Sequence, residues 1–179
     1  MTTDPAAAEQ LDYLSFVDYA VDEATGHLPD VDPVAMRLVL TLHRLTSALV
    51  YDLEATVHRP HGWSWSGFRV LFVLWLAGPL ESKRIAHLSG TSRAAVSALV
   101  KTLERDGLVT RRRAEHDGRA VRVDLTDRGR ADIARAFGTH NEREQAWAST
   151  LSEQERTTLI ELLDKLMTGT EADEVRRRF

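Results

Sequence analysis

The segment from Thr91 to Thr126 constrains the fold more than any other part of the chain, because it joins one amphipathic helix to one β-hairpin. Its first part, TSRAAVSALVKTLERDG, predicts a helix over 92–106 with one apolar face. Its second part, LVTRRRAEHDGRAVRVDLT, carries an Asp-Gly turn signal between two short runs, the second of which alternates apolar and polar residues. The segment therefore predicts two antiparallel strands directly after a helix.

The rest of the chain shows helical spacing and no further strand-forming segment. The predicted helices span about 11–25, 34–57, 64–77, 81–88, 126–150 and 152–166, and the tail is expected to fray. Asp32 is able to cap the second of these helices, and Ser152 with Glu155 forms a capping box at the last. The helix over 64–77 is apolar on nearly every side, which predicts that it is the central buried helix. The helix over 34–57 has a heptad-like seam suited to burial between helices, formed by Leu38, Leu42, Leu45, Leu49 and Leu53. The predicted fold class is mainly α, an α+β chain whose strands are confined to one place.

Positive charge is concentrated in the same region of an otherwise acidic chain. The whole chain has a net charge of −4, whereas residues 79–130 contain 12 Lys/Arg and 7 Asp/Glu, which gives this segment a net charge of +5 and the remainder −9. A basic module in an acidic body is typical of a protein that binds a polyanion such as nucleic acid.

Several classes of protein are disfavoured by what the sequence lacks. With no cysteine, a disulfide, a thiolate nucleophile or a cysteine zinc site is excluded. No glycine-rich phosphate loop, nucleophile elbow or metal-spaced histidine cluster occurs, and a proline separates His58 from His61, so neither an enzyme, a cofactor nor a metal site is predicted. No apolar run is long enough for a bilayer and MTTDPAAAEQ does not resemble a signal peptide, which predicts a cytoplasmic, nucleoid-associated protein without a membrane partner.

The helix over 92–106 divides into an apolar face and a polar face. Its apolar residues recur at i, i+3, i+4 and i+7 and are Val96, Leu99, Val100 and Leu103. On the opposite face Arg93, Ser97 and Lys101 step by four, with Ser92 at the start of the helix. Arginine, serine and lysine are donors that suit base edges and phosphates of the DNA major groove. The helix N-terminus, capped by Thr91 or Ser92, also favours an anion.

The elements around this helix predict a helix-turn-helix with a wing. The preceding short helix is expected to bury Ile85 and Leu88 and to expose Lys83, Arg84 and His87, and LSGTS supplies a tight glycine turn. In the hairpin the alternation is expected to turn inward Val121, Val123 and Leu125 and to turn outward Arg122 and Asp124. Arg119 would lie at the hairpin tip, where an arginine can enter a narrow minor groove, and Asp117 could orient it.

These motifs resemble those of the MarR family of bacterial winged helix-turn-helix transcription regulators. The wing DGRAVRVDLT, the helix segment SRAAVSALVKTLERDGLVTR and the terminal LSEQERTTLIELLDKL carry a resemblance that covers about Val34 to Met167. It implies a homodimer whose N- and C-terminal helices form a dimerisation lobe, with two winged helices reading a palindromic operator in double-stranded DNA. The implied domains are an extension over 1–33, dimerisation helices over 34–62 and 126–179, and a DNA-binding lobe over 63–125.

The resemblance also implies a function and a set of DNA-contacting residues. The expected function is a sequence-specific dimeric DNA-binding transcription regulator, a repressor released by a small-molecule ligand. The alternative is a winged-helix protein-interaction or dimerisation module without DNA binding. The implied DNA contacts are Ser92, Arg93, Ser97, Lys101 and Arg119, with Asp117 supporting Arg119 and with phosphate contacts from Arg111, Arg112 and Arg113.

A small aromatic or anionic effector is a further implication of the resemblance, since family members often bind one between the dimer helices and the winged helix. The candidate residues are His43, Arg44, Trp63, Trp65 and Arg69. Core or dimer packing is the alternative role of the tryptophans, and an internal salt bridge with Asp52 or Glu54 is the alternative for Arg69. The extra helix over 11–25 also occurs in a urate-responsive branch, but Arg69 and Leu99 depart from that branch, so urate is not predicted. The extra helix is expected to reinforce the dimer.

Overall fold

The chain forms two compact units, and the boundary between them falls between Asp52 and Leu53. The computed structural model describes residues 9–113 and 121–176. The α-helices and strands, in chain order, are α1 (Ser15–His27), α2 (Pro33–Leu53), α3 (Trp65–Ala77), β1 (Leu80–Glu81), α4 (Ser82–Ser89), α5 (Arg93–Arg105), β2 (Val109–Arg113), β3 (Val121–Leu125), α6 (Asp127–Ala148), α7 (Glu153–Met167) and α8 (Thr170–Arg176). A short π-helix (Glu54–His58) and a 3-10 turn (Arg59–His61) follow α2 directly. The predicted fold class, mainly helical with one small sheet, is confirmed.

The first unit contains α1 and nearly all of α2, each begun by an aspartate. The Asp12 carboxylate accepts hydrogen bonds from the backbone N–H groups of Leu14 and Ser15, at 2.8 and 2.7 Å. Asp32 caps α2 in the same way, as the sequence predicts. Because the Asp12 turn precedes the helix, α1 starts at Ser15 and not near Leu11, and Leu14 is 79% exposed although its spacing predicts a core position.

The apolar seam of α2 is largely open to solvent in the single chain. Leu38 and Leu45 are exposed, while Leu53, where α2 ends, is buried. Helix α7 of the second unit also exposes large apolar side chains, namely Leu159, Ile160, Leu162, Leu166 and Met167. Exposed apolar rows on helices indicate surfaces that pack against another chain.

The second unit is built around α3, as its nearly continuous apolar sequence predicts. The Ser64 hydroxyl caps this helix by accepting a hydrogen bond from the Gly67 N–H at 3.1 Å. The buried core combines side chains of α3, α4, α5 and α6, among them Phe68, Leu71, Leu74, Ile85, Val96, Val100 and Ile133. Each large apolar side chain removed from water contributes about 1.5–3 kcal/mol, so this core fixes the helices that carry the polar surface of α5.

The turn between α4 and α5 is the expected helix-turn-helix connection. Gly90 ends α4 with a φ of 59°, a left-handed conformation that glycine adopts without strain. Ser92 then caps α5 by accepting a hydrogen bond from Ala95 N–H at 3.2 Å. Two predicted core residues are less buried than expected, since Leu88 is 44% exposed and Leu99 is half-buried. The short α4 turns Ile85, Ala86 and Ser89 inward, which leaves Leu88 on the other side.

The hairpin pairs β2 with β3 in the antiparallel register Val109↔Leu125 to Arg113↔Val121, and β1 adds a third strand on the other edge of β3. The sequence did not predict β1, which has only two residues. Val123 and Leu125 are buried as expected, whereas Val121 is 46% exposed. Val121 forms the last pair of the β2–β3 ladder, beyond the two residues of β3 that pair with β1, so among the described residues only β2 lies beside it.

Helices α6 and α7 each begin with a side-chain cap, of which the sequence predicts the one at α7. Thr126 caps α6 through Gly129 N–H, and Ser152 and Glu155 form the predicted capping box at the start of α7. The tail differs from the expected fraying, because residues Thr170–Arg176 form helix α8. Within the described residues, no helix combines the length and the apolar character that a membrane crossing requires.

Candidate nucleic-acid interface

Helix α5 places the predicted major-groove residues on one exposed side. Arg93, Ser97 and Lys101 are exposed, while the opposite side of the helix buries Val96, Val100 and Leu103. Ser92 has a structural task as the N-cap, because its oxygen accepts the Ala95 N–H, but its side chain is also exposed. A helix anchored by one face and presenting donors on the other can enter a groove without losing its packing.

The three arginines of β2 differ in their availability. The Arg111 side chain donates to the Glu104 carboxylate of α5 through Nε at 2.9 Å and also through Nη2. This pairing lowers the pKa of Glu104 and raises that of Arg111. Arg112 is exposed without an ion pair among the described residues, and the Arg113 side chain lies outside the described part. Arg111 therefore ties β2 to α5, and a phosphate would have to compete with Glu104 for it.

The wing tip is the part of the predicted interface that lies outside the described residues. Asp117 and Arg119 fall within 114–120, outside the described residues. Strands β2 and β3 do pair up to Arg113 and Val121, so the hairpin that carries this segment is present. The roles of Asp117 and Arg119 stay predictions.

The positive charges around the winged helix fall into two groups, those in ion pairs and those without one. Four other arginines are paired with aspartates, namely Arg105 with Asp106, Arg130 with Asp124, and Arg128 and Arg135 with Asp132. Within the described residues from Leu80 to Leu125, the cations without an ion pair are Lys83, Arg84, Arg93, Lys101, Arg112 and Arg122. The charge that remains free for a polyanion thus lies on α4, α5 and the sheet.

Helix α4 and the sheet edge form a basic groove that was not among the predicted sites. The groove has a volume of about 560 Å³ and is lined by Leu80, Glu81, Lys83, Arg84, His87 and Arg122. Helical spacing predicts that Lys83, Arg84 and His87 of α4 are exposed, and the structure confirms it. Their convergence with Arg122 depends on the pairing of β1 with β3, for which the sequence held no signal.

The five effector candidates are distributed over the two units. His43 and Arg44 lie on α2, and the Arg44 guanidinium carbon is 3.8 Å from the centre of the Tyr13 ring, whose hydroxyl donates to the Arg44 carbonyl oxygen. Trp63 and Trp65 belong to the second unit, where Trp63 is buried and stacks on His61. The packing role expected as the alternative for Trp63 therefore matches its burial.

Arg69 lies on α3 without the expected salt bridge in its own unit. Within the described residues of that unit, its guanidinium forms no ion pair, and Glu54 is not its partner. Burial lowers the pKa of the half-buried Arg69. A Cβ added at Gly90 would lie 2.9 Å from Arg69 Nη2, so this side chain packs directly against the helix-turn-helix turn.

The buried side chains of His58 and His140 form a pair in the second unit. His58 Nε2 is 3.1 Å from His140 Nδ1, and His140 Nε2 is 3.1 Å from the Glu144 carboxylate. Both rings stack on Phe68, at centroid distances of 4.2 and 4.5 Å. The described residues contain no group of three or more side chains placed to hold a metal ion. Because a carboxylate accepts, His140 donates from Nε2 and accepts at Nδ1 from His58.

Comparison with known proteins identifies the lobe that carries this surface. The MarR family model matches residues 63–121. An uncharacterized HTH-type transcriptional regulator, YwaE of Bacillus subtilis (strain 168), is 31% identical over 132 residues, which cover 74% of this chain and 77% of that protein. The HTH-type transcriptional repressor YetL of the same strain is 25% identical over 139 residues, 76% of this chain and 83% of that protein.

A solved structure gives the same result for the fold. The crystal structure of the transcriptional regulator PA4135 is 29% identical, covers 72% of this chain and 94% of its own, and has a TM-score of 0.63. The helix-turn-helix with its paired wing strands thus has a counterpart in both sequence and structure. On these grounds the chain belongs to the MarR family of transcription regulators.

Proposed function

We propose that this regulator binds operator DNA by inserting α5 into the major groove. The observation that carries the proposal is the exposed row Arg93, Ser97 and Lys101 on a helix whose other face is buried. Arginine can donate to guanine O6 and N7, serine to base edges or phosphates, and lysine to phosphates. Free N–H groups in the first turn of α5 add a further attraction for phosphate.

The active form proposed here is a homodimer. Support comes from the exposed apolar residues of α2 and of α7, which an interface between two copies would remove from solvent. We assign 34–62 and 126–179 to dimerisation, 63–125 to DNA binding, and 1–33 to an extension that reinforces the dimer. A twofold dimer presents two α5 helices, which suits a palindrome with half-sites about one helical turn apart.

Regulation is proposed to be repression that a small aromatic or anionic ligand relieves, with the protein acting on the nucleoid in the cytoplasm and having no enzymatic activity. The relative YetL is named as a transcriptional repressor, which supports repression as the mode of regulation. Of the five effector candidates, Arg69 has the strongest support, because its half-buried guanidinium lacks a carboxylate partner among the described residues of its unit. A ligand carboxylate would compensate that charge.

The proposal is tested by titrating the purified protein against fragments of its own gene neighbourhood at two salt concentrations, with footprinting of bound fragments. A protected palindrome is expected, together with an affinity that falls steeply with salt as counterions are released. A folded dimer that binds none of these fragments at low salt would support the alternative, a protein-interaction module.

Arg93→Ala is expected to weaken operator binding by about 1–3 kcal/mol and to relax the preference at one base position, because a base-edge donor is lost. Fluorescence anisotropy with operator and scrambled duplexes measures both effects. Arg156→Ala, an exposed arginine on α7, is the matched control and should bind like the wild type. An equal loss on scrambled DNA would identify Arg93 as a phosphate contact.

Arg119→Ala is expected to weaken binding by about 1–3 kcal/mol at operators with A/T-rich flanks, where the minor groove is narrow, and less at G/C-rich flanks. The measurement compares the two flank compositions around one operator core, with dimerisation checked by light scattering. Affinity that is the same as wild type on both duplexes would contradict the predicted role of the wing tip.

A further inference from the structure

We propose that the basic groove between α4 and the sheet edge is a second DNA-binding surface, over which the phosphate backbone of the operator passes. The groove brings together Lys83, Arg84 and His87 of α4 with Arg122 of β3. The inference rests on the proposed DNA-binding function and adds to it a set of contacts that the sequence-based interface did not contain.

The charges of the groove favour a polyanion. All four basic side chains are exposed, and within the described residues none of them forms an ion pair. Glu81 is the one acidic residue lining the groove, so Lys83, Arg84 and Arg122 leave it with a net positive charge at neutral pH. Three cations without ion-pair partners can each neutralise a DNA phosphate and release the counterion condensed on it.

The position of the groove favours the DNA backbone over base edges. Helix α4 is the first helix of the helix-turn-helix, and in this motif the first helix crosses the backbone while the second enters the major groove. The pairing of Glu81 with Arg122 across β1 and β3 sets Arg122 beside the start of α4. Lysine and arginine at such a place fix the orientation of the protein on the duplex and read no sequence.

A comparison with Arg111 shows why the groove should carry more of the phosphate contacts. Arg111 already donates twice to Glu104. A phosphate that binds Arg111 therefore contributes only the difference in free energy between the Arg111–phosphate pair and the Arg111–Glu104 pair. The groove cations have no such partner to give up. The electrostatic share of the binding free energy therefore shifts from Arg111 toward α4 and β3.

The test is the salt dependence of DNA binding by the full-length double variant Lys83→Ala/Arg84→Ala. Each lost phosphate contact should make the slope of log affinity against log salt shallower by about 1. Because the dimer carries the groove twice, the double variant loses about four contacts, and we expect the slope to become shallower by about 4 on operator and scrambled DNA alike. The ratio of the two affinities should stay at its wild-type value. Arg122→Ala, which removes one contact from each protomer, should make the slope shallower by about 2, and Glu81→Gln should strengthen binding.

The matched control is Arg156→Ala/Lys165→Ala, which removes one exposed arginine and one exposed lysine from α7, with light scattering to check that the variant remains a dimer. Its slope should equal that of the wild type. A groove variant with a wild-type slope, or a control whose slope becomes shallower by the same amount, would overturn the groove while leaving DNA binding intact. Failure of the wild type itself to bind DNA would overturn the proposed function instead. Circular dichroism of each variant checks the fold, and hydroxyl-radical footprints should lose protection at the flanking phosphates.

Discussion

Gly129→Ala is expected to lower the free energy of unfolding by about 3 kcal/mol or more, because no space exists for a side chain at this position. A Cβ there would lie 2.0 Å from the carbonyl oxygen of Leu108 and 2.9 Å from its carbonyl carbon. These are backbone atoms, and they are held in place, since Leu108 N–H donates to Leu103 and its carbonyl accepts from Thr126. Relief of the overlap would require α6 to move away from the residue that joins α5 to β2.

Gly138→Ala provides the control within the same helix. A Cβ at Gly138 would meet nothing within 4 Å, so alanine there should stabilise α6 by up to about 1 kcal/mol through its higher helix propensity. Urea denaturation of both variants measures the difference. Equal destabilisation of the two variants would contradict the close packing of α6 on Leu108. Loss of that packing should also weaken DNA binding, because Leu108 connects the two elements that bear the interface.

The elements that the sequence predicted well are those encoded by neighbouring residues. The buried face of α5 follows from helical spacing, and the caps at Asp32 and Ser152 follow from side chains that bond within three residues. The exposed row of α5 is the complement of its buried face, so it was predictable for the same reason. The resemblance to a family extended these local patterns to a wing and to a dimer.

The features that the sequence could not reveal depend on residues far apart in the chain. Strand β1 is two residues long and exists only because β3 pairs with it. The histidine pair joins residues 82 positions apart. The charge asymmetry marked the basic region correctly, but the Arg111–Glu104 pair, which joins two different elements, decides which of its arginines is free. The count of charged residues located the basic region, but only the fold distinguishes its ion-paired arginines from its unpaired ones.

Acidification from pH 7 to 4 is expected to destabilise the second unit through His58, by up to about 3 kcal/mol. Burial, together with the neighbouring His140 and His61, lowers the pKa of His58 to about 4 from its ordinary 6.5. The folded state therefore keeps His58 neutral while the unfolded chain takes up a proton below pH 6.5. Its contribution to stability is complete above about pH 6.5, falls between pH 6.5 and 4, and is lost below that range.

His58→Gln tests this expectation, because an amide can still donate to His140 Nδ1 but does not titrate. The free energy of unfolding, measured by urea denaturation at several pH values, should fall less steeply between pH 6.5 and 4 in His58→Gln than in the wild type. His87→Gln makes the same change at an exposed position on α4 and should keep the wild-type slope. If His58→Gln keeps that slope as well, the acid sensitivity arises from carboxylates. If it flattens the curve, the buried pair that packs α6 against Phe68 also sets the lower pH limit of the fold that positions α5 for DNA.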